Sequence, residues 1–249
     1  MSWILNEKEM NAEIRSIYSR FQQTLQENAP EFFIEKEYSN MFCIGVPDGW
    51  KKSAMRVMIV GQEGAWGNRE ETWEDIKKLQ DWSKEFQYDQ LYEIKYGNKK
   101  NYRSFWKRFR FFSEELQKMK EVSFCYANID AFCYQRHALK PDQREKLHGA
   151  AIIQVLREIV KMTEPTHVIF FGWHNVSLKH EFPEMYETLC PKGKYIPKDF
   201  IDKGAIVSST SVMNGINFIV TYHPRFVISR TGKYADENAY RDAILECLK

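Results

Sequence analysis

One stretch limits the fold more than any other: Arg56-Val57-Met58-Ile59-Val60-Gly61-Gln62-Glu63-Gly64-Ala65-Trp66-Gly67-Asn68. Its apolar run, Val57 to Val60, has the length of one buried strand and offers no polar face to water. A continuous Val- and Ile-rich run of this kind suits a parallel strand covered on both faces. The run then breaks at once into Gly61, Gly64 and Gly67, interleaved with Gln62, Glu63 and Trp66. Glycine permits the tight backbone geometry of a strand exit. In open α/β sheets that exit edge is where ligands bind. Neither the dinucleotide spacing nor the phosphate-loop spacing is present, since both need further glycines or a Gly-Lys-Ser/Thr. On this stretch alone, a βα turn carrying solvated polar residues is the favoured account, because a strand followed by a Gly-rich turn is common.

The rest of the chain alternates. Apolar positions at Ile14, Ile17, Tyr18, Phe21 and Leu25 predict an amphipathic helix within Ile4–Asn28, ended by Asn28-Ala29-Pro30. Glu31–Gly49 reads as a loop with a short strand. After the first strand, Glu70–Phe86 reads as a charged helix, and Tyr102–Met119 as a helix with Phe105, Phe109, Phe112 and Leu116 on one face. Its opposite face carries Arg103, Lys107 and Arg110, a solvated face that could also meet phosphates. Val122–Ile129 is a second strand, and one long helix is predicted from Pro141 to about Met162. Thr166–Gly172 is a third strand and Asn175–His180 a short helix. Phe182–Lys203 reads as irregular. Ala205–Ser208 and Ile216–Tyr222 are strand-like around the turn dipeptide Asn214-Gly215, and Asp236–Leu248 is a last helix.

Strands alternating with helices imply a parallel sheet with crossover connections. The expected fold is therefore a three-layer α/β/α domain with a central four-stranded parallel sheet. All 249 residues are read as one domain, with 1–50 an added helix and loop and 56–249 the core. A net charge of +2 says nothing about partners. No run approaches the roughly 18 apolar residues of a membrane span, so no membrane partner is expected. Glu7 and Glu9 follow the short apolar start, unlike a signal peptide. Cys43, Cys125, Cys133, Cys190 and Cys247 are scattered without a C-x-x-C pair. That spacing favours reduced thiols over a disulfide framework or a zinc or iron–sulfur site. The expectation is a cytoplasmic or nucleoid-associated protein with no metal and no cofactor.

Parallel strands bring their C-terminal ends to one edge. The first delivers Gln62 and Glu63, the second Asn128 and Asp130, the third Gly172, Trp173 and His174, and the fourth Tyr222, His223, Pro224 and Arg225. A carboxylate, amides, histidines and aromatic rings can converge there, and that convergence is the strongest pointer to a site. Of the other histidines, His137 and His148 read as surface residues.

An apolar strand ending in Gly61-Gln62-Glu63-Gly64, strands ending in Asn128 and Gly172, and a strand ending in Tyr222-His223-Pro224 resemble the uracil-DNA glycosylase superfamily. The resemblance runs from about Arg56 to Lys249. It implies an enzyme that flips a base out of single- or double-stranded DNA and hydrolyses its N-glycosidic bond without a metal. The residue types suit that chemistry. A carboxylate near the sugar stabilises an oxocarbenium-like cation and positions water, and a histidine stabilises the departing base. An amide reads the pyrimidine edge while an aromatic ring stacks on it. On the resemblance, Gln62 and Glu63 match the water-positioning motif, Asn128 the pyrimidine-reading asparagine and His223 the histidine that faces the leaving base. Trp66 and Phe132 are candidates for the stacking ring. Arg225 and Phe226 stand where the family wedges into the DNA stack, and Arg230 and Lys233 flank that edge on the DNA side.

The chain departs from the family twice. Gly64-Ala65-Trp66-Gly67 replaces the proline that usually follows the first motif, and the last motif reads His-Pro-Arg-Phe instead of His-Pro-Ser. A serine there helps to grip phosphate. Two other functions therefore stay open: a non-catalytic module that binds nucleic acid or a nucleobase on the same fold, and an unrelated α/β hydrolase using Glu63 and His223 on a small substrate. No Gly-x-Ser-x-Gly elbow is present to support a serine hydrolase.

Overall fold

The computed structural model describes residues 6–61, 75–91, 112, 114–119, 121–135, 137–171, 175–189, 207–213, 215–221 and 237–249. Strands β1 (Met55–Gly61), β2 (Val122–Asn128), β3 (His167–Phe171), β4 (Val207–Met213) and β5 (Ile216–Thr221) form one sheet in the order β2-β1-β3-β5-β4. β2, β1, β3 and β5 run parallel. β4 pairs antiparallel with β5 at the edge, through a turn in which Gly215 takes φ +73°. The expected four-stranded parallel sheet is thus joined by a fifth, antiparallel strand.

Side-chain alternation divides the parallel strands cleanly. Met58 and Val60, Cys125 and Ala127, Val168 and Phe170, and Phe218 and Val220 belong to one buried cluster. Val57 and Ile59, Phe124 and Tyr126, Ile169 and Phe171, and Ile219 belong to the other. The first face is covered by helices α1 (Glu7–Asn28), α4 (Pro141–Ala151), α5 (Val155–Thr163), α6 (Asn175–Glu181) and α7 (Pro183–Leu189), and by the start of α3 (Ile76–Leu91). Phe112, Leu116, Ile244 and Leu248 cover the second, from helical residues 112 and 114–118 and from α8 (Glu237–Glu246) with the turn that follows it. Helices thus lie on both faces, as continuous apolar strands require. None of the helices among the described residues is long and apolar enough to cross a membrane.

α1 begins with a capping box: Asn6 Oδ1 accepts from the Glu9 N–H at 3.0 Å, and Glu9 accepts from the Asn6 N–H at 2.9 Å. Its stripe of Met10, Ile14, Ile17, Tyr18, Phe21 and Leu25 is buried in the first-face core. The N-terminal segment, expected as an addition, is therefore an integral part of that layer. The segment after it includes the short helix α2 (Glu31–Ile34) and then runs buried from Tyr38 to Val46, apart from half-buried Asn40. A buried loop must pair its backbone groups. Here Asn11 accepts from the Val46 N–H and donates to its carbonyl, while Gln80 donates to the Ile44 carbonyl.

The long helix expected from Pro141 breaks in two. Ile152 takes φ +62° between α4 and α5, and α5 starts afresh at Val155. Gln154, the residue before it, makes no side-chain cap of its own. The Glu181 carboxylate supplies one from across the layer, accepting the Arg157 N–H at 3.1 Å. A sequence pattern cannot register a cap borrowed from a residue so distant in the chain.

Candidate functional site

The register aligns the parallel strands at one edge, where Gly61 pairs with Asn128 and Phe171 with Thr221. β1 leads on to β2 at one side of the sheet, while its other neighbour β3 leads on to β4 and β5 at the opposite side. Such a reversal of strand order opens a crevice outside the carboxyl ends.

Asn128 is buried there, and its side chain is held in one orientation. The Tyr126 hydroxyl, two residues back on the same face, donates to Asn128 Oδ1 at 2.6 Å. Gly61 makes this possible. A Cβ on Gly61 would lie 2.0 Å from the Tyr126 hydroxyl oxygen, so the phenol crosses the bare Cα to reach the amide. Asn128 Nδ2 is buried and has no hydrogen-bond partner among the described residues. The same holds for Thr221 Oγ1, at the end of β5. Asn128 and Thr221 share the parity of Tyr126 and Ile219, so both belong to the second face of the sheet. An unpaired buried donor is costly unless a ligand, water or another segment meets it.

Beyond the end of β2, Asp130 turns to the helical layer of the first face. Fully buried, it accepts from Arg144 Nε at 2.7 Å, from Ser177 Oγ at 2.5 Å, and is 3.1 Å from His148 Nε2. Arg144 and His148 stand four residues apart on α4, hence on one helix face. One carboxylate thereby ties the β2 exit to α4 and α6. His148 is buried, contrary to its expected surface position, because Asp130 supplies the partner that allows it inside. Its ring lies against that of His180, centroids 4.6 Å apart. Burial, followed by the neighbouring His148, lowers the pKa of His180. Burial also pushes the Glu181 carboxyl up to about 8, against the backbone N–H groups of Arg157 and Leu156 that favour its charged form. Between this group and the sheet edge is a small cavity of about 10 Å³, bordered by Asn128, Ile129, His148 and Glu181 among others. That is on the scale of one water molecule.

Of the residues expected at the site, Asn128 and Phe132 fall within the described residues, and they have different surroundings. Phe132 is 1% exposed and packs against Phe32 and Phe33, with centroids 5.5 Å from each. Enclosed in this way, its ring serves the core and is not available to stack on a base. Gln62, Glu63, Trp66, His223, Arg225, Phe226, Arg230 and Lys233 lie outside the described residues, as do His174 and the basic face of Arg103, Lys107 and Arg110. The chain positions they follow are described: Gly61 and Thr221 are the last residues of two parallel strands. Sequence reasoning missed the Asp130 hub and the pairing of His148 with His180 and Glu181. The available signals were Asp130 at the exit of the second strand and the four-residue spacing of Arg144 and His148. No family model and no curated protein sequence matches the chain.

Proposed function

We propose that this chain is a glycosylase-like enzyme that hydrolyses the N-glycosidic bond of uracil or another damaged base in DNA. The observation that carries the reading is the Asn128 amide, buried at the exit edge with its Nδ2 unpartnered among the described residues and its Oδ1 held by Tyr126. An amide offers one donor face and one acceptor face, which suit the adjacent carbonyl and ring N–H of a uracil edge. On this reading Glu63, with Gln62, orients water and His223 stabilises the leaving base. Trp66 is the remaining stacking candidate, Arg225 or Phe226 fills the gap left by the base, and Arg230 and Lys233 meet phosphates. Support comes from the four motif-bearing segments, each of which follows one of four adjacent parallel strands.

The test is base release from uracil-containing single- and double-stranded oligonucleotides. Release is expected from the native chain. In Asn128→Ala and Glu63→Gln it should fall by on the order of 10²-fold or more, the usual effect of losing one preorganised group. A folded protein that releases neither uracil nor any of a panel of damaged bases would overturn the reading. The Gly64-Ala65-Trp66-Gly67 and His-Pro-Arg-Phe departures favour a second reading, a non-catalytic binder on the same framework. Salt-dependent DNA binding that survives Glu63→Gln, without base release, would select it.

A further inference from the structure

We infer that His148, His180 and Glu181 form a binding site for a divalent transition-metal ion, with zinc the best match to the donor set. One donor atom from each residue lies within 4.8 Å of the other two. Ligands at about 2.0–2.1 Å from a shared zinc ion stand roughly 3–4 Å apart, so a side-chain adjustment of about an ångström assembles the set. Two imidazoles and a carboxylate are a recurring three-ligand arrangement for zinc that leaves the fourth position for water. A cavity of about 10 Å³, on the scale of one water molecule, borders His148 and Glu181.

The outer contacts prepare both rings for ligation. His180 makes a hydrogen bond to the backbone of Ile153 that favours its protonated form, so the ring donates to that carbonyl. Its Nε2 is buried with no partner among the described residues, which assigns the donating hydrogen to Nδ1 and leaves the lone pair on Nε2. His148 places Nε2 on the Asp130 carboxylate, an acceptor only, which puts the hydrogen on Nε2 and the lone pair on Nδ1. A backbone carbonyl behind one histidine and a carboxylate behind the other are the second contacts that orient metal-binding imidazoles and raise their basicity. Asp130 is itself held by Arg144 and Ser177, so His148 is presented by a rigid support. Glu181 is 3% exposed and its carboxylate accepts from the start of α5. A dication beside it would offset the cost of burying that charge. This inference concerns the first-face helical layer and does not depend on base hydrolysis.

The test uses the full chain, stripped with chelator and titrated with Zn²⁺ in competition with a chromophoric chelator. Co²⁺ serves as a spectroscopic substitute for coordination geometry. One equivalent of zinc is expected, and Co²⁺ should give the visible bands of a four-coordinate site. Affinity should drop in His180→Ala and in Glu181→Gln by more than the roughly 10–100-fold that loss of an outer-shell partner costs. Circular dichroism verifies that each variant is folded, and Glu181→Gln keeps an oxygen able to cap α5. His137→Ala, an exposed histidine elsewhere, should bind as the native chain does. Absence of stoichiometric binding, or affinity unchanged in the folded His180→Ala and Glu181→Gln variants, would overturn the assignment.

Discussion

Replacing Gly61 with alanine tests the arrangement at the sheet edge most directly. The new Cβ would meet the Tyr126 hydroxyl oxygen at 2.0 Å, Cζ at 2.8 Å and Cε2 at 3.1 Å. Tyr126 has little freedom to yield, since it is 2% exposed and packs edge-on against Phe42 at 5.8 Å. The phenol must therefore leave Asn128 or the strands must part. Overpacking of this kind costs about 1–3 kcal/mol. Leaving the Asn128 acceptor unpaired and buried adds about 1–3 kcal/mol. Alanine recovers roughly 0.5–1 kcal/mol over glycine within a regular element, so the net loss is about 1–5 kcal/mol. Urea unfolding at constant m-value measures it. The discriminating variant is the double mutant Gly61→Ala/Tyr126→Phe. Removing the hydroxyl takes away the 2.0 Å conflict, and the hydrogen bond is already lost in Tyr126→Phe. The alanine should then cost at least about 1 kcal/mol less than it does in the native background. Additivity within about 0.3–0.5 kcal/mol, the behaviour of independent sites, would refute the idea that Gly61 exists to pass the phenol to Asn128.

Two further substitutions probe the surrounding framework. Asn11→Ala removes both side-chain bonds to Val46 and strands a buried N–H and C=O; it should destabilise the chain by about 2–4 kcal/mol in urea unfolding, whereas an added-on N-terminal helix would show almost no effect. Ile152→Gly relieves a β-branched residue that is 74% exposed at φ +62°; the strain of about 1–2 kcal/mol outweighs glycine's entropic cost, so thermal unfolding should shift upward by a few degrees, and a downward shift would count against strain at that position.

The sheet was legible because its signal is local. Val57–Val60, Phe124–Ala127 and Val168–Phe171 are apolar on both faces, and such runs can be stable only between two helical layers. Asn128 was equally readable as the polar residue at which an apolar strand stops. What the sequence hid depends on partners distant in the chain. The break at Ile152 cannot be read from the apolar spacing of Ile153, Leu156, Ile159 and Val160, because it accompanies a cap from Glu181. His148 reads as a surface residue until Asp130, on another element, provides the partner that lets it be buried.

Asn128 and Asp130, two residues apart, anchor to different layers. Asn128 is fixed from the sheet by Tyr126 across Gly61, while Asp130 is fixed from the helices by Arg144, His148 and Ser177. Between them the Ile129 N–H donates to the Gly61 carbonyl at 3.0 Å, extending the β1–β2 ladder one step past the strand. The β2 exit is thus tied down on both sides, and the Asn128 amide has almost no freedom to reorganise when a ligand arrives. A binding group held in this way loses little entropy on contact and favours the partner whose donor and acceptor match its fixed orientation. The rigidity also links the two ends of the exit. Shifting Asp130 would disturb Asn128 through one intervening residue, so a metal ion drawing on His148 would stiffen the same turn from the opposite layer.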